Sequence, residues 1–473
     1  MNQYHFSQSI NLKEKTHILF ISISLILACN SGNATNLVNP EIVYDNEVQS
    51  NMAEAINVVC PQLGSLNLQG ELSGNEQQLF FRCRDMVQTA NEIVDDGSGT
   101  ANSLGLSQSE LGDAMGQLAD EEVGVQGDWA TRTSNEQLSN IQTRLSDIHS
   151  GSSGISLSGL QFQSTEENIS FNELSPSQTG GSAGESLGPW GAFISGVYST
   201  GDRDATERQT GFDLDSLGIT AGVDYRFNNS LVGGVAIGYT DAEADYDNNG
   251  GSQDVNGYSF TVYSTYYIDS LYIDSSLSYG MYDYDSERNI VYASNTAIPG
   301  VNSKAKSSTD GDQFNVYIAT GYTINQGVMD YTPYAQIRYL DVSIDGYAET
   351  GGANQEINMA VSDQSVDSLQ TVFGGEAAYN VSTSWGVFIP YVRADWHHEF
   401  KNDSRKLSYQ YVFDPLNTTY TLNTDEPDED FFTIGLGFST VYRSGQAYFD
   451  IESPVGLDNV DNTIFTLGAR FAF

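Results

Sequence analysis

The last nine residues, Phe465-Thr466-Leu467-Gly468-Ala469-Arg470-Phe471-Ala472-Phe473, alternate apolar with small or polar side chains and end on an aromatic. Successive side chains of a strand point to opposite faces, so Phe465, Leu467, Ala469, Phe471 and Phe473 share one face and Thr466, Gly468 and Arg470 the other. That arrangement suits lipid on one side and water on the other. The same alternation recurs upstream: Leu217, Ile219, Ala221, Val223, Tyr225 and Phe227 interleave with Gly218, Thr220, Gly222, Asp224 and Arg226. Phe432, Ile434, Leu436 and Phe438 likewise interleave with Thr433, Gly435, Gly437 and Ser439. Period two this persistent is not helical. Twelve such segments from Trp190 onward predict an all-β transmembrane barrel of twelve antiparallel strands over residues 189–473, preceded by a small α-helical region.

The connections between segments alternate in length. Asn228-Asn229, Asp269-Ser270, Asn325-Gln326-Gly327, Ser382-Thr383-Ser384 and Arg443-Ser444-Gly445 are short. Acidic, polar stretches around residues 200–212, 241–255, 284–310, 342–366 and 399–428 are long. Short turns on one side and long loops on the other assign the first to the periplasm and the second to the cell exterior, a sorting that a soluble β-sandwich rarely shows.

Residues 1–34 read as a secretory signal: Lys13 and Lys15, an apolar run from Ile18 to Ala28, and small residues at Gly32-Asn33-Ala34. A competing site, Ile26-Leu27-Ala28-Cys29, loosely resembles a lipoprotein box and would lipidate Cys29. No other stretch approaches the ~20 apolar residues of a membrane helix, so a bilayer crossing has to use strands. The net charge of −43 excludes nucleic acid, whose phosphates need clustered cations, and favours divalent cations as company. Cleavage after Ala34 leaves Cys60 and Cys83, which in an oxidising compartment pair as a disulfide.

Before the barrel the period changes. Residues 35–106 read as a helical, disulfide-bearing passenger, with Asn75 and Gln78 as caps of a segment ending near Val94. Residues 107–149 read as a helix opened by a Ser107/Glu110 capping box, with Leu138, Ile141, Leu145 and Ile148 painting one apolar stripe. Residues 150–188 have the Gly/Ser-rich composition of a linker.

Together these features resemble the autotransporter family of type V secretion: export signal, surface passenger, a helix threading the pore, and a C-terminal translocator barrel. The resemblance rests on Gly188-Pro189-Trp190-Gly191, Gly222-Val223-Asp224-Tyr225-Arg226-Phe227, the run from Pro390 to Phe400, and the aromatic end at Phe473. Leu138-Ser139-Asn140-Ile141-Gln142-Thr143-Arg144-Leu145 looks similar to the family's pore helix, although about forty residues separate it from the first strand. The resemblance implies a Gram-negative outer-membrane location, a monomeric barrel in lipid, and periplasmic chaperones and barrel-assembly machinery as partners. Phe465, Leu467, Phe471 and Phe473 would be the assembly signal. It also implies a short-passenger subgroup with Cys60 and Cys83 as a disulfide hairpin.

Inward-facing charges of both signs, Asp224, Arg226, Arg338, Glu376, Arg393 and Asp395, suit a lumen network, with Arg393 and Asp395 as the residues to grip a pore helix. Asp245, Asp247 and Asn249, followed by Gly250, fit the opening of a Ca2+ loop, without its closing bidentate Glu. No catalytic constellation is present: His397 and His398 stand beside Asp395 and Glu399 without an opposed pair, and no G-x-S-x-G or H-E-x-x-H occurs. Asn140 is a candidate for cyclisation-driven passenger release. The competing readings are a porin-like channel with a periplasmic N-terminal region, and an adhesin or enzyme carried by the passenger.

Overall fold

The computed structural model describes residues 36–120, 122–149, 155–158, 189–442, 445–461 and 464–471, so the signal segment, Cys29 and Phe473 lie outside the described residues. The chain divides into two compact units, one of residues 36–43, 53–111 and 293–300, the other of residues 44–52, 112–292 and 301 onward. Among the described residues no helix is long and apolar enough to cross a membrane.

The first unit is built on α1 (Glu47–Gln69) and α2 (Gly74–Val94). Leu63, Leu79, Met86, Val87 and Ala90 are buried in it. Pro61 interrupts the hydrogen-bond ladder of α1, and the Cys60–Cys83 disulfide, Cα atoms 5.6 Å apart, staples the two helices one residue before that break. The N-cap of α2 is Ser73, whose N–H donates to Glu76 at 3.0 Å, two residues ahead of the expected Asn75; a Ser with Glu three positions on satisfies two terminal N–H groups at once. The helix stops at Val94, where Asp95 turns left-handed (φ 53°). Residues 293–300 complete this unit: Asn295 N–H donates to Leu104 O at 2.8 Å, and Arg82 donates to Pro299 O at 3.0 Å.

The expected helix over 107–149 is two helices, α3 (Gln108–Leu118) and α4 (Val123–His149). Ser107 and Glu110 do cap the start of α3, at 2.7 and 3.3 Å. The break falls between Leu118 and Val123, where Asp120 and Glu122 are acids that sit better ahead of a helix N-terminus than inside a helix.

The second unit is a meander of twelve antiparallel strands: β1 (Trp190–Arg203), β2 (Phe212–Asn228), β3 (Leu231–Tyr246), β4 (Gly251–Ile268), β5 (Leu271–Tyr292), β6 (Val301–Tyr322), β7 (Met329–Ile344), β8 (Gln364–Tyr379), β9 (Gly386–Glu399), β10 (Asp430–Tyr442), β11 (Gly445–Val455) and β12 (Ile464–Phe471). Each pairs with the next, and Val460–Asp461 pair with Asp202 and Arg203 of β1, so the sheet curls back on itself. Ile155–Ser158 lie parallel to β1. This is the expected twelve-stranded barrel.

The strands are longer than a bilayer crossing of ~10 residues needs, and their outward face changes character partway. On β3, Val235 and Ile237 face out, then Asp241, Glu243 and Asp245 face out while Ala242, Ala244 and Tyr246 turn in. On β5, Leu277, Tyr279 and Met281 give way to Asp283 and Asp285. The boundary between lipid and water is therefore written along single strands. Much of the expected loops 241–255, 284–310 and 342–366 is accordingly strand, because Asp241-Ala242-Glu243-Ala244-Asp245-Tyr246 keeps period two with its polarity inverted. Residues Tyr347–Ala348, Met359–Val361, Lys406–Tyr411 and Tyr420–Asn423 form a second, four-stranded sheet out of the expected loops 342–366 and 399–428.

Candidate functional site

The lumen is occupied by α4. Its 27 residues span about 40 Å at 1.5 Å per residue. Among its described residues, Val125, Gln126, Ser134, Asn140 and Arg144 are buried. It packs against β1, β2 and β4–β8. Leu138, Ile141, Leu145 and Ile148, the stripe legible in the sequence, pack with Phe193, Val232, Ala236 and Tyr263 of the wall.

Next to that stripe runs a polar row at helical spacing. Gln137 donates to Thr240 Oγ1 at 2.9 Å and accepts from Thr220 at 2.9 Å. Asn140 donates to Thr220 at 3.1 Å and accepts from Ser195 at 2.7 Å, so its amide is engaged with the wall at both ends. Arg144 is fully buried and donates to Asp224 Oδ2 through Nε at 2.7 Å, with Nη2 2.6 Å from the same oxygen as an ion pair; Tyr263 donates to that oxygen at 3.1 Å. The Arg144 guanidinium also lies 5.5 Å from the Phe193 ring centre. Gly191 and Gly238 make this approach possible: a Cβ at Gly191 would meet Asp224 and Arg144, and one at Gly238 would meet Gln137 and Ser259.

The ends of the helix are held separately. At the long-loop end Gln364 donates to Gln126 at 2.6 Å. At the short-turn end His149 sits 3.0 Å from Asp274 and packs on Tyr272 at 4.1 Å. The chain thus enters α4 on the side assigned to the exterior and leaves it on the periplasmic side. Just ahead of α4, buried Arg288 makes a two-point bond to Glu349 (2.8 and 2.7 Å), donates to Gln117 O at 3.1 Å and lies 3.6 Å from Asp120. Burial pushes the Asp120 carboxyl above the usual carboxylate range, against the pull of Arg288.

Among the described residues, Asp224 is the one of the six lumen charges read from sequence that bonds α4, and Arg393 and Asp395 are seen bonding within the wall. Arg393 bonds across the wall to Glu452, to Asp450 at 3.3 Å and to Asp395 at 3.7 Å, and Tyr334 donates to Asp395. Glu376 stands opposite Arg393 in the β8–β9 register, Arg338 donates to Gln336 at 2.8 Å, and Arg226 is half-buried near the short-turn end. The helix-side partners Gln137, Arg144 and His149 belong to no motif in the sequence. A row of Gln, Asn and Arg at positions 137, 140 and 144 beside an apolar stripe was the available signal.

Asp245 lies near the end of β3 opposite Asp213, and Asp247 to Asn249 form a short 3-10 turn in which Asn248 and Asn249 have φ of 54° and 61°. Among the described residues, Asp245 and Asp247 join no third His, Cys or carboxylate ligand. His397 faces inward, stacked on Phe431 at 4.4 Å, while His398 faces outward, so the pair shares no site. Phe465, Leu467 and Phe471 lie on β12, with their side chains outside the described residues.

A twelve-stranded membrane barrel whose lumen holds a helix leading to its exterior end is a translocator carrying its own N-terminal region. The Autotransporter beta-domain family model matches residues 192–452, more than half of the chain, and the protein belongs to that family. Among its relatives, esterase EstA of Pseudomonas aeruginosa is 23% identical over 258 residues, 54% of this chain and 38% of the esterase. Outer membrane protein A of Rickettsia rickettsii is 23% identical over 277 residues, 56% of this chain and 12% of that protein. This chain therefore spans less than half the length of either. The translocator domain of autotransporter NalP from Neisseria meningitidis aligns at 14% identity and a TM-score of 0.45, over 61% of this chain and 90% of that one. The protein is an outer-membrane autotransporter of a Gram-negative bacterium. The barrel is not itself catalytic.

Proposed function

We propose that the exported helical unit stays attached as a permanent, non-enzymatic surface domain, and that α4 remains in the lumen as a plug. The observation that supports this reading is the three-point fastening of α4, by Gln126, Arg144 and His149, along the length of the barrel. A helix that had only passed through would need no buried ion pair with the wall. Asn140 is occupied by Thr220 and Ser195, an arrangement that opposes attack of its amide on its own backbone.

An esterase activity like that named for EstA would need a nucleophile with a base, and residues 36–120 contain no histidine. Assembly proceeds from the C-terminal strand through the barrel-assembly machinery, with periplasmic chaperones holding the unfolded chain, and the product is a monomer.

Planar-bilayer conductance tests the plug. The full chain gives small, infrequent openings, and deletion of residues 123–149 gives a stable pore several-fold larger. Equal conductance from the two proteins would mean that α4 does not block the lumen. An ester-hydrolysis screen of the full-length protein should register no turnover; turnover would restore the enzyme reading.

A further inference from the structure

We infer that His398, Glu429 and Asp430 form a divalent transition-metal site on the outer rim of the barrel. Register places His398 of β9 directly opposite Asp430, the first residue of β10, and Glu399 N–H donates to Glu429 O at 2.8 Å, which fixes the adjoining backbone. One ligand atom from each of the three side chains lies within 4.8 Å of the other two. The His398 Nδ1 to Asp430 Oδ1 separation is 3.0 Å. Two ligands at 2.0–2.2 Å from a tetrahedral ion stand roughly 3.3 Å apart, so a cation enters with a small outward movement of exposed side chains.

The surroundings favour a cation. Residues 425–430 supply five carboxylates in six positions, and Asp425 is the one paired with an arginine, Arg203 at 2.8 Å. The imidazole distinguishes this place from the other outward carboxylates of the rim, such as Asp213 opposite Asp245 or Asp341 opposite Asp367. Carboxylates alone suit Ca2+ or Mg2+, whereas one imidazole with two carboxylates suits Zn2+, Ni2+ or Cu2+. Trp396 donates to Asp430 Oδ1 at 2.9 Å and His398 packs edge-on against Phe400 at 4.5 Å, so the ligands are oriented from a second layer. Three protein ligands leave the remaining positions to water. The site draws no ligand from α4 or from the first unit, so its test is independent of the plug proposal.

The test uses the full-length barrel folded in detergent, with folding verified by heat-modifiable gel mobility. Zn2+ titration by calorimetry should find a site that weakens at least tenfold in His398→Gln and in Glu429→Gln. The same affinity should persist in an Asp245→Asn/Asp247→Asn double variant. Cu2+ should quench Trp396 emission, and Trp396→Phe should remove that quenching while leaving Zn2+ affinity within about threefold. Equal Zn2+ affinity in wild type and in folded His398→Gln overturns the assignment, as does loss of binding in the 245/247 double variant alone.

Discussion

At the residue scale the energetics concentrate on a few buried charges. Arg144 and Asp224 have almost no contact with water, so removing one partner strands the other in a low-dielectric lumen at a cost of ~3–5 kcal/mol. Arg144→Ala should therefore lower the thermal unfolding midpoint and raise conductance. Arg144→Met with Asp224→Leu should recover most of the midpoint, since an apolar pair of similar volume leaves nothing unpaired. A double variant no better than Arg144→Ala would mean that the pair acts through something other than mutual neutralisation. Asp120 gives a pH signature. Its folded pKa is raised by burial, so the stability it contributes is complete below the ordinary carboxylate range and is lost as pH rises through the raised value. Asp120→Asn should flatten that part of the stability-against-pH curve above about pH 4 and stabilise the protein at neutral pH; an unchanged slope would refute the assignment.

Elements explain what could be read from the chain and what could not. Each membrane strand was legible because one face meets lipid and period two shows in a list of residues such as Leu217 to Phe227. The strand extensions were hidden because the polarity inverts where lipid ends: Asp241, Glu243 and Asp245 look like a loop until Ala242, Ala244 and Tyr246 are seen to fill the interior. The apolar stripe of α4 was legible for the same reason as the strands, whereas the choice of Asp224 over Arg393 depended on which wall the helix leans against. No periodicity encodes that. The Arg288, Glu349 and Asp120 cluster was invisible because its members are 61 or more residues apart in sequence and meet only through folding. At this scale the Cys60–Cys83 bridge should stabilise the first unit by roughly 2–4 kcal/mol. A Cys60→Ser/Cys83→Ser protein, studied as the full chain because residues 293–300 belong to that unit, should lose protease resistance in residues 53–111 while keeping the heat-modifiable mobility of the barrel. Loss of both together would show the two units to be one cooperative body.

For the whole molecule, inverted polarity along the strands, a helix in the lumen and sorted connections support one proposal: a barrel anchored in lipid that delivers its leading region to the exterior. The sheet curls back on itself, with Val460 and Asp461 pairing with Arg203 and Asp202 of β1, and a lipid bilayer does not tolerate unsatisfied backbone groups at a free edge. Assembly from the last strand predicts that deleting Phe473 lowers the amount of heat-modifiable barrel in the outer membrane, and an unchanged level would remove the terminal aromatic from the account. The most direct test is protease shaving of intact cells with an epitope and a cleavage site placed between Gly97 and Ala101, a turn at the exposed end of α2. The account predicts that the epitope is lost from whole cells while a periplasmic marker survives. Full protection of the epitope until the outer membrane is breached would contradict it.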